Sequence, residues 1–80
     1  MPRILMLDGF RFHFFSNEGD PREPVHIHVS RAGCDAKLWL SPDVREAYND
    51  GYDGRTMRRI ERLVIAHRQE LIDGWNNFFR

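Results

Sequence analysis

Residues 3–15 read RILMLDGFRFHFF, and this stretch decides the fold. Two β-prone runs, 3–7 and 10–15, are separated by Asp8-Gly9. An Asp-Gly pair between such runs predicts a hairpin closed by a type I′ turn, because both central residues of that turn need positive φ. Side chains alternate along a strand, so Phe10, Phe12 and Phe14 share one face, with Arg11, His13 and Phe15 on the other. The phenylalanine face is the core face.

Working outward, residues 16–24 (SNEGDPREP) form a long loop rich in turn formers and acids. Loops of this length in small domains tend to carry function. Residues 25–30 (VHIHVS) give a third strand, with Val25, Ile27 and Val29 opposite His26, His28 and Ser30. Residues 31–35 read as a turn containing Cys34. Residues 36–40 (AKLWL) give a fourth strand, with Ala36, Leu38 and Leu40 opposite Lys37 and Trp39. Aligning the apolar faces leaves an open face that collects Arg11, His13, His26, His28, Lys37 and Trp39.

Ser41-Pro42 has helix-start chemistry and predicts a short helix to about residue 48. Asp53 reads as the N-cap of one long helix over residues 55–78. Met57, Ile60, Val64, Leu71, Trp75 and Phe78 fall on one stripe at helical spacing, flanked by Leu63 and Ile72. The expected architecture is α+β, a single domain. Its four-stranded, mainly antiparallel sheet packs on one long C-terminal helix, with a short connecting helix between them.

The chain of 80 residues supports one thin core, burying about 60% of its unfolded surface. A second copy or a partner protein is a natural supplement to so small a core. A single cysteine precludes an internal disulfide and fits a reducing cytoplasm. No run of about 18 apolar residues exists to span a membrane, and residues 1–15 lack signal-peptide patterning. Twelve Lys and Arg balance twelve Asp and Glu, which argues against indiscriminate nucleic-acid binding.

Three chemistries fit the His-x-His pair. Two imidazoles on one strand face can ligate a metal with a third ligand from His13 or an acid. They can also act as general acid and base in RNA cleavage, with a cation steadying the phosphorane. Packing on a half-exposed sheet face is the third. No cysteine pair or His-Glu-x-x-His helix accompanies them, so no metal ligand set is assigned and no cofactor is expected. In the acid–base scheme His26 and His28 are the titrating pair, with Arg68 or Lys37 as phosphate clamp. Arg68 falls at the margin of the apolar stripe, where a covered arginine calls for a carboxylate such as Glu18 or Asp20. Trp39 offers a stacking surface for single-stranded RNA. Arg55, Arg58, Arg59 and Arg62 form a basic ridge on the long helix, a solvated face or a docking edge for RNA or an acidic partner; Arg58 and Arg62 are its binding candidates.

Taken together, PRILMLDGFRFHFFSNEGDPREPVHIHV, AKLWL, GYDGRTMRRIERLV and ELIDGWNNFF resemble a small bacterial family, domain of unknown function 4160. The resemblance covers nearly the whole chain. Members are typically stand-alone proteins of this size, grouped with toxin–antitoxin components and often found beside a second small protein, domain of unknown function 2442. The resemblance implies a cytoplasmic bacterial protein with a cognate, antitoxin-like partner and supplies no reaction. It draws attention to Glu18, Pro24, His26, His28, Lys37, Trp39, Arg68 and Trp75. His67 departs from the asparagine expected in relatives.

Two functional expectations result. One is the toxin side of a toxin–antitoxin-type pair, acting on RNA or the translation machinery; in its enzymatic form it is a metal-independent, histidine-based ribonuclease. The other is a non-catalytic module that binds its cognate partner through the open sheet face.

Overall fold

The computed structural model describes residues 3–18 and 23–79. The hairpin predicted from Asp8-Gly9 is present: β1 (Arg3–Leu7) pairs antiparallel with β2 (Phe10–His13). Asp8 and Gly9 have φ of 52° and 82°, the two positive values a type I′ turn requires. Strand β3 (His26–Arg31) pairs with β2, and β4 (Cys34–Trp39) pairs with β3. The β3–β4 turn repeats the device with Ala32 and Gly33, at φ 52° and 84°. Cys34 therefore opens β4 instead of sitting in a turn.

Among the described residues the sheet has five strands, not four. Residues expected to form a short helix instead form β5 (Arg45–Asp50), antiparallel to β4, completing a meander of order β1-β2-β3-β4-β5. Arg, Glu and Ala favour helix in isolation, but this segment has no apolar face with which to dock one. As a strand it needs none, because its backbone satisfies the free edge of β4. All six of its side chains are exposed.

Asn49 then turns the chain. Its side chain accepts from Tyr52 N–H at 3.0 Å and donates to Tyr52 C=O at 2.8 Å. Asp53 caps α1 (Gly54–Ala66) as expected, accepting the Thr56 N–H at 2.8 Å. The predicted long helix is interrupted at His67, where φ is −110° and ψ 17°, and resumes as α2 (Arg68–Phe79). The helical phase survives the break, since His67 N–H donates to Leu63 C=O and Leu71 N–H to His67 C=O.

The core lies between one sheet face and the helices. Phe10, Phe12, Phe14, Ile27, Val29, Ala36 and Leu38 meet Met57, Ile60, Val64, Leu71 and Trp75, all buried. Phe78, expected on the stripe, is 48% exposed, although its ring still meets Phe14. Tyr52 closes one edge, its hydroxyl directed at Val29 C=O (3.1 Å) and Cys34 C=O (3.3 Å). Among the described residues no helix is long and apolar enough to cross a membrane.

Candidate functional site

Opposite the core face, cross-strand register places His13, His28, Lys37 and Tyr48 in one row across β2 to β5. Register also sets His26 beside Trp39. Alternation predicted the shared face of His26 and His28, but that face is not open at the histidines. His26 is fully buried, and His13 and His28 are each 4% exposed. Trp75 reaches the His26 ring at 4.8 Å between centroids, and Trp39 flanks it edge-on. Phe15 lies edge-on against His28 at 4.7 Å, while His13 stacks on the same ring.

The loop before β3 delivers the carboxylate. A single 3₁₀ turn, Ser16–Glu18, is closed by Glu18 N–H to Phe15 C=O, and Glu23 N–H returns to Glu18 C=O at 2.9 Å. Glu18 is thereby folded over the histidines. Its Oε1 accepts the Phe15 N–H at 2.8 Å. Its Oε2 lies 2.8 Å from Nε2 of His28 and 2.8 Å from Nε2 of His26. The His28 contact is a hydrogen bond, whereas His26 Nε2 approaches too obliquely and has no directed partner. Burial alone would push the Glu18 carboxyl up. The His28 and Phe15 N–H bonds, with the His26 imidazole beside them, outweigh burial and hold it below the usual value.

The far side of each ring is also engaged. His26 Nδ1 is 2.9 Å from Pro24 C=O, which can only accept, so this nitrogen carries a proton. His28 Nδ1 is 3.4 Å from the Tyr48 hydroxyl, which donates to Asp35 Oδ2 at 2.7 Å. Burial, then the Asp35 bond and charge, push the Tyr48 phenol up to about 12. His13 is pushed below its usual value, chiefly by burial and then by the neighbouring His28. Ligand atoms of Glu18, His26 and His28 all lie within 4.8 Å of one another.

Lys37 and Trp39 adjoin this cluster. Lys37 Nζ pairs with Glu23 Oε1 at 3.1 Å and sits 4.6 Å over the Trp39 ring. Arg68 does not join it. The carboxylate partner expected for Arg68 in Glu18 is committed to the histidines, and Asp20 lies outside the described residues. The Arg68 guanidinium instead donates to Leu40 C=O (2.7 Å) and Pro42 C=O (3.3 Å), bracing the β4–β5 connection against α2. Arg58 and Arg62 are exposed on α1, whose buried residues pack on the opposite side of the sheet from the His13–His28 stack. In the same ridge Arg59 pairs with Asp8 at 3.0 Å.

Tyr48 and Asp35 are not legible as site residues in the sequence, because the segment of Tyr48 reads as helix. Alternation supplies no signal here, because a register shift pairs Glu46 with Leu38 and Tyr48 with Lys37, on opposite faces of the sheet.

The family of domain of unknown function 4160 (DUF4160) matches residues 9–76 of the chain. The chain belongs to this family. The match takes in the loop, the histidine strand, β5 and most of both helices. No curated protein and no solved structure is found to be similar.

Proposed function

We propose that this member of the DUF4160 family is a non-catalytic interaction module that binds a cognate small protein through the open part of its sheet face. The observation that carries the reading is the set of apolar side chains left uncovered there. Met6 is 49% exposed, Phe15 40% and Tyr48 40%. Register puts Met6 and Tyr48 on the face opposite the core, and Phe15 lies over the histidine stack on that side. Large apolar groups on a solvated face are characteristic of protein-binding surfaces, and here they are spread across it, with Met6 on β1, Phe15 just after β2 and Tyr48 on β5. The partner class, an antitoxin-like small protein such as domain of unknown function 2442, is carried forward from the family resemblance.

The toxin reading in its ribonuclease form asks more of the site. A scissile phosphate would have to enter between two imidazoles that are enclosed by Trp75, Trp39 and Phe15 and face the same carboxylate oxygen. Of its two candidate cationic clamps, Arg68 is spent on backbone carbonyls and Lys37, beside His28, is paired with Glu23 at 3.1 Å.

Calorimetry with a purified domain of unknown function 2442 protein as the probe tests the reading. Phe15→Ser and Tyr48→Ser are expected to abolish measurable binding, while Arg58→Ala and Arg62→Ala leave it intact. Binding lost only in the arginine variants would move the interface to α1. Growth arrest with RNA loss on expression, absent in a folded His26→Ala/His28→Ala double variant, would restore the ribonuclease reading.

A further inference from the structure

Beyond partner binding, and independently of it, we propose that Glu18, His26 and His28 form a binding site for one divalent first-row transition ion, with Zn²⁺ as its probe. The set of two imidazoles and one carboxylate is a common way for proteins to hold such ions while leaving further positions for water.

Three features of the geometry point to a cation. First, His26 Nε2 is completely enclosed and lacks a directed hydrogen-bond partner. Its Nδ1 already donates to Pro24 C=O, so a neutral His26 aims a lone pair at Glu18 Oε2 from 2.8 Å. Two acceptors at that separation repel, and a cation shared between them turns the repulsion into two bonds.

Second, the atom of each residue that faces away from the cluster is held in place. His26 Nδ1 has Pro24 C=O, Glu18 Oε1 has the Phe15 N–H, and His28 Nδ1 has the Tyr48 hydroxyl. Metal-binding histidines typically anchor their second nitrogen in this manner, which fixes the tautomer and the ring direction. The Tyr48 proton goes to Asp35, so the Tyr48 oxygen is free to accept from His28 Nδ1–H. An entering ion would displace the Nε2 proton by which His28 bonds Glu18, and with Nδ1–H turned to Tyr48 the Nε2 lone pair would face the ion.

Third, the ligand atoms are near bonding separation. All lie within 4.8 Å of one another. Two ligands about 2.1 Å from one ion are at most about 4.2 Å apart, so small side-chain shifts close the site. The flanking Trp39, Trp75 and Phe15 rings lower the local dielectric and strengthen the attraction of cation for carboxylate. A bound ion would tie the Ser16–Glu18 turn to β3, fixing the loop against the sheet.

A proton held between the imidazoles and the carboxylate is the competing account, and titration separates the two. Protein stripped by chelator is titrated with ZnCl₂ by calorimetry and with CoCl₂ by visible absorption. One ion per chain, removal by chelator and a raised melting temperature with Zn²⁺ are expected. Glu18→Gln and His28→Gln should each weaken binding at least as much as the loss typical of an outer partner, about 10–100-fold. His67→Gln, which removes the exposed His67–Glu70 pair, should leave binding unchanged. In the wild type, Zn²⁺ should shift the Nε2 resonances of His26 and His28 and not those of His67, a readout that needs no variant to fold. Absence of stoichiometric binding overturns the proposal. So does binding that leaves the His26 and His28 resonances in place.

Discussion

Tyr48 on the outermost strand is tied to His28, two strands further in: its hydroxyl lies 3.4 Å from His28 Nδ1 and donates to Asp35 Oδ2 at 2.7 Å. An exposed edge strand is thus linked through one phenol to the buried side-chain cluster of the sheet.

This link has an alkaline signature. Tyr48 is raised from 10.0 to about 12 in the folded protein, so the fold favours its protonated form. The associated stability is complete below about pH 10, the unfolded value, and is lost as pH rises from there toward 12. Tyr52 is also raised, mainly by burial, and contributes in the same direction. Phenolate absorbance of the native protein should therefore appear later than that of the urea-unfolded chain. Tyr48→Phe should reduce the stability lost between pH 10 and 12, and an unchanged loss in this variant would remove Tyr48 as its source.

Gly51 joins β5 to the N-cap of α1 at φ 107°, a region L side chains rarely adopt. A Cβ there would lie 2.9 Å from Cys34 Sγ and 3.3 Å from Cys34 Cβ. Gly51→Ala thus combines backbone strain with a collision against β4, and about 1–3 kcal/mol of destabilisation is expected. Gly51→Ala/Cys34→Ala should recover the part of the collision due to Sγ and leave the Cβ contact and the backbone component. Urea denaturation of the two variants separates these contributions; equal losses in both would show that the contact with Cys34 is relieved at no cost.

Trp75 is 2% exposed and meets Phe14, Phe79 and His26, with ring centroids 5.4, 4.4 and 4.8 Å away. Trp75→Ala empties this junction, and a buried Trp→Ala change costs about 3–5 kcal/mol. A domain of this size has only about 5–15 kcal/mol in total. The variant should melt at a much lower temperature, and Trp75→Phe should recover part of the difference. A melting temperature near wild type for the alanine variant would mean that α2 is not needed to close the core.

The parts legible in the sequence were those set by local chemistry. Asp8-Gly9 declares its turn through positive φ, Asp53 its cap through a short carboxylate, and Met57, Ile60, Val64, Leu71 and Trp75 their face through helical spacing. β5 was hidden because an edge strand with every side chain in water draws its stability from the backbone ladder with β4. Alternation paired His26 with His28 correctly, yet it could not reveal that Trp75 and the Glu18 turn cover them. Those are long-range contacts, set by where α2 and the loop end up. The same reason misdirected Arg68: its charge called for a carboxylate, while the fold presented the carbonyls of Leu40 and Pro42.

The α1 cap supplies an acid-side prediction. Asp53 accepts the Thr56 N–H at 2.8 Å, and this backbone bond is the main cause of its lowered value, with Arg55 and Arg58 assisting more weakly. A depressed carboxyl stabilises the fold above its unfolded value, near 3.8, and loses that contribution as pH falls through its folded value. Asparagine caps helices about as well as aspartate and carries no titrating group. Asp53→Asn should match wild type at neutral pH and lose less stability than wild type below pH 3.8. Asp53→Ala should be weaker at both. The deciding measurement is the difference between the wild-type and Asp53→Asn urea midpoints across that range. A constant difference would assign the cap's effect to hydrogen bonding alone, with no linked proton.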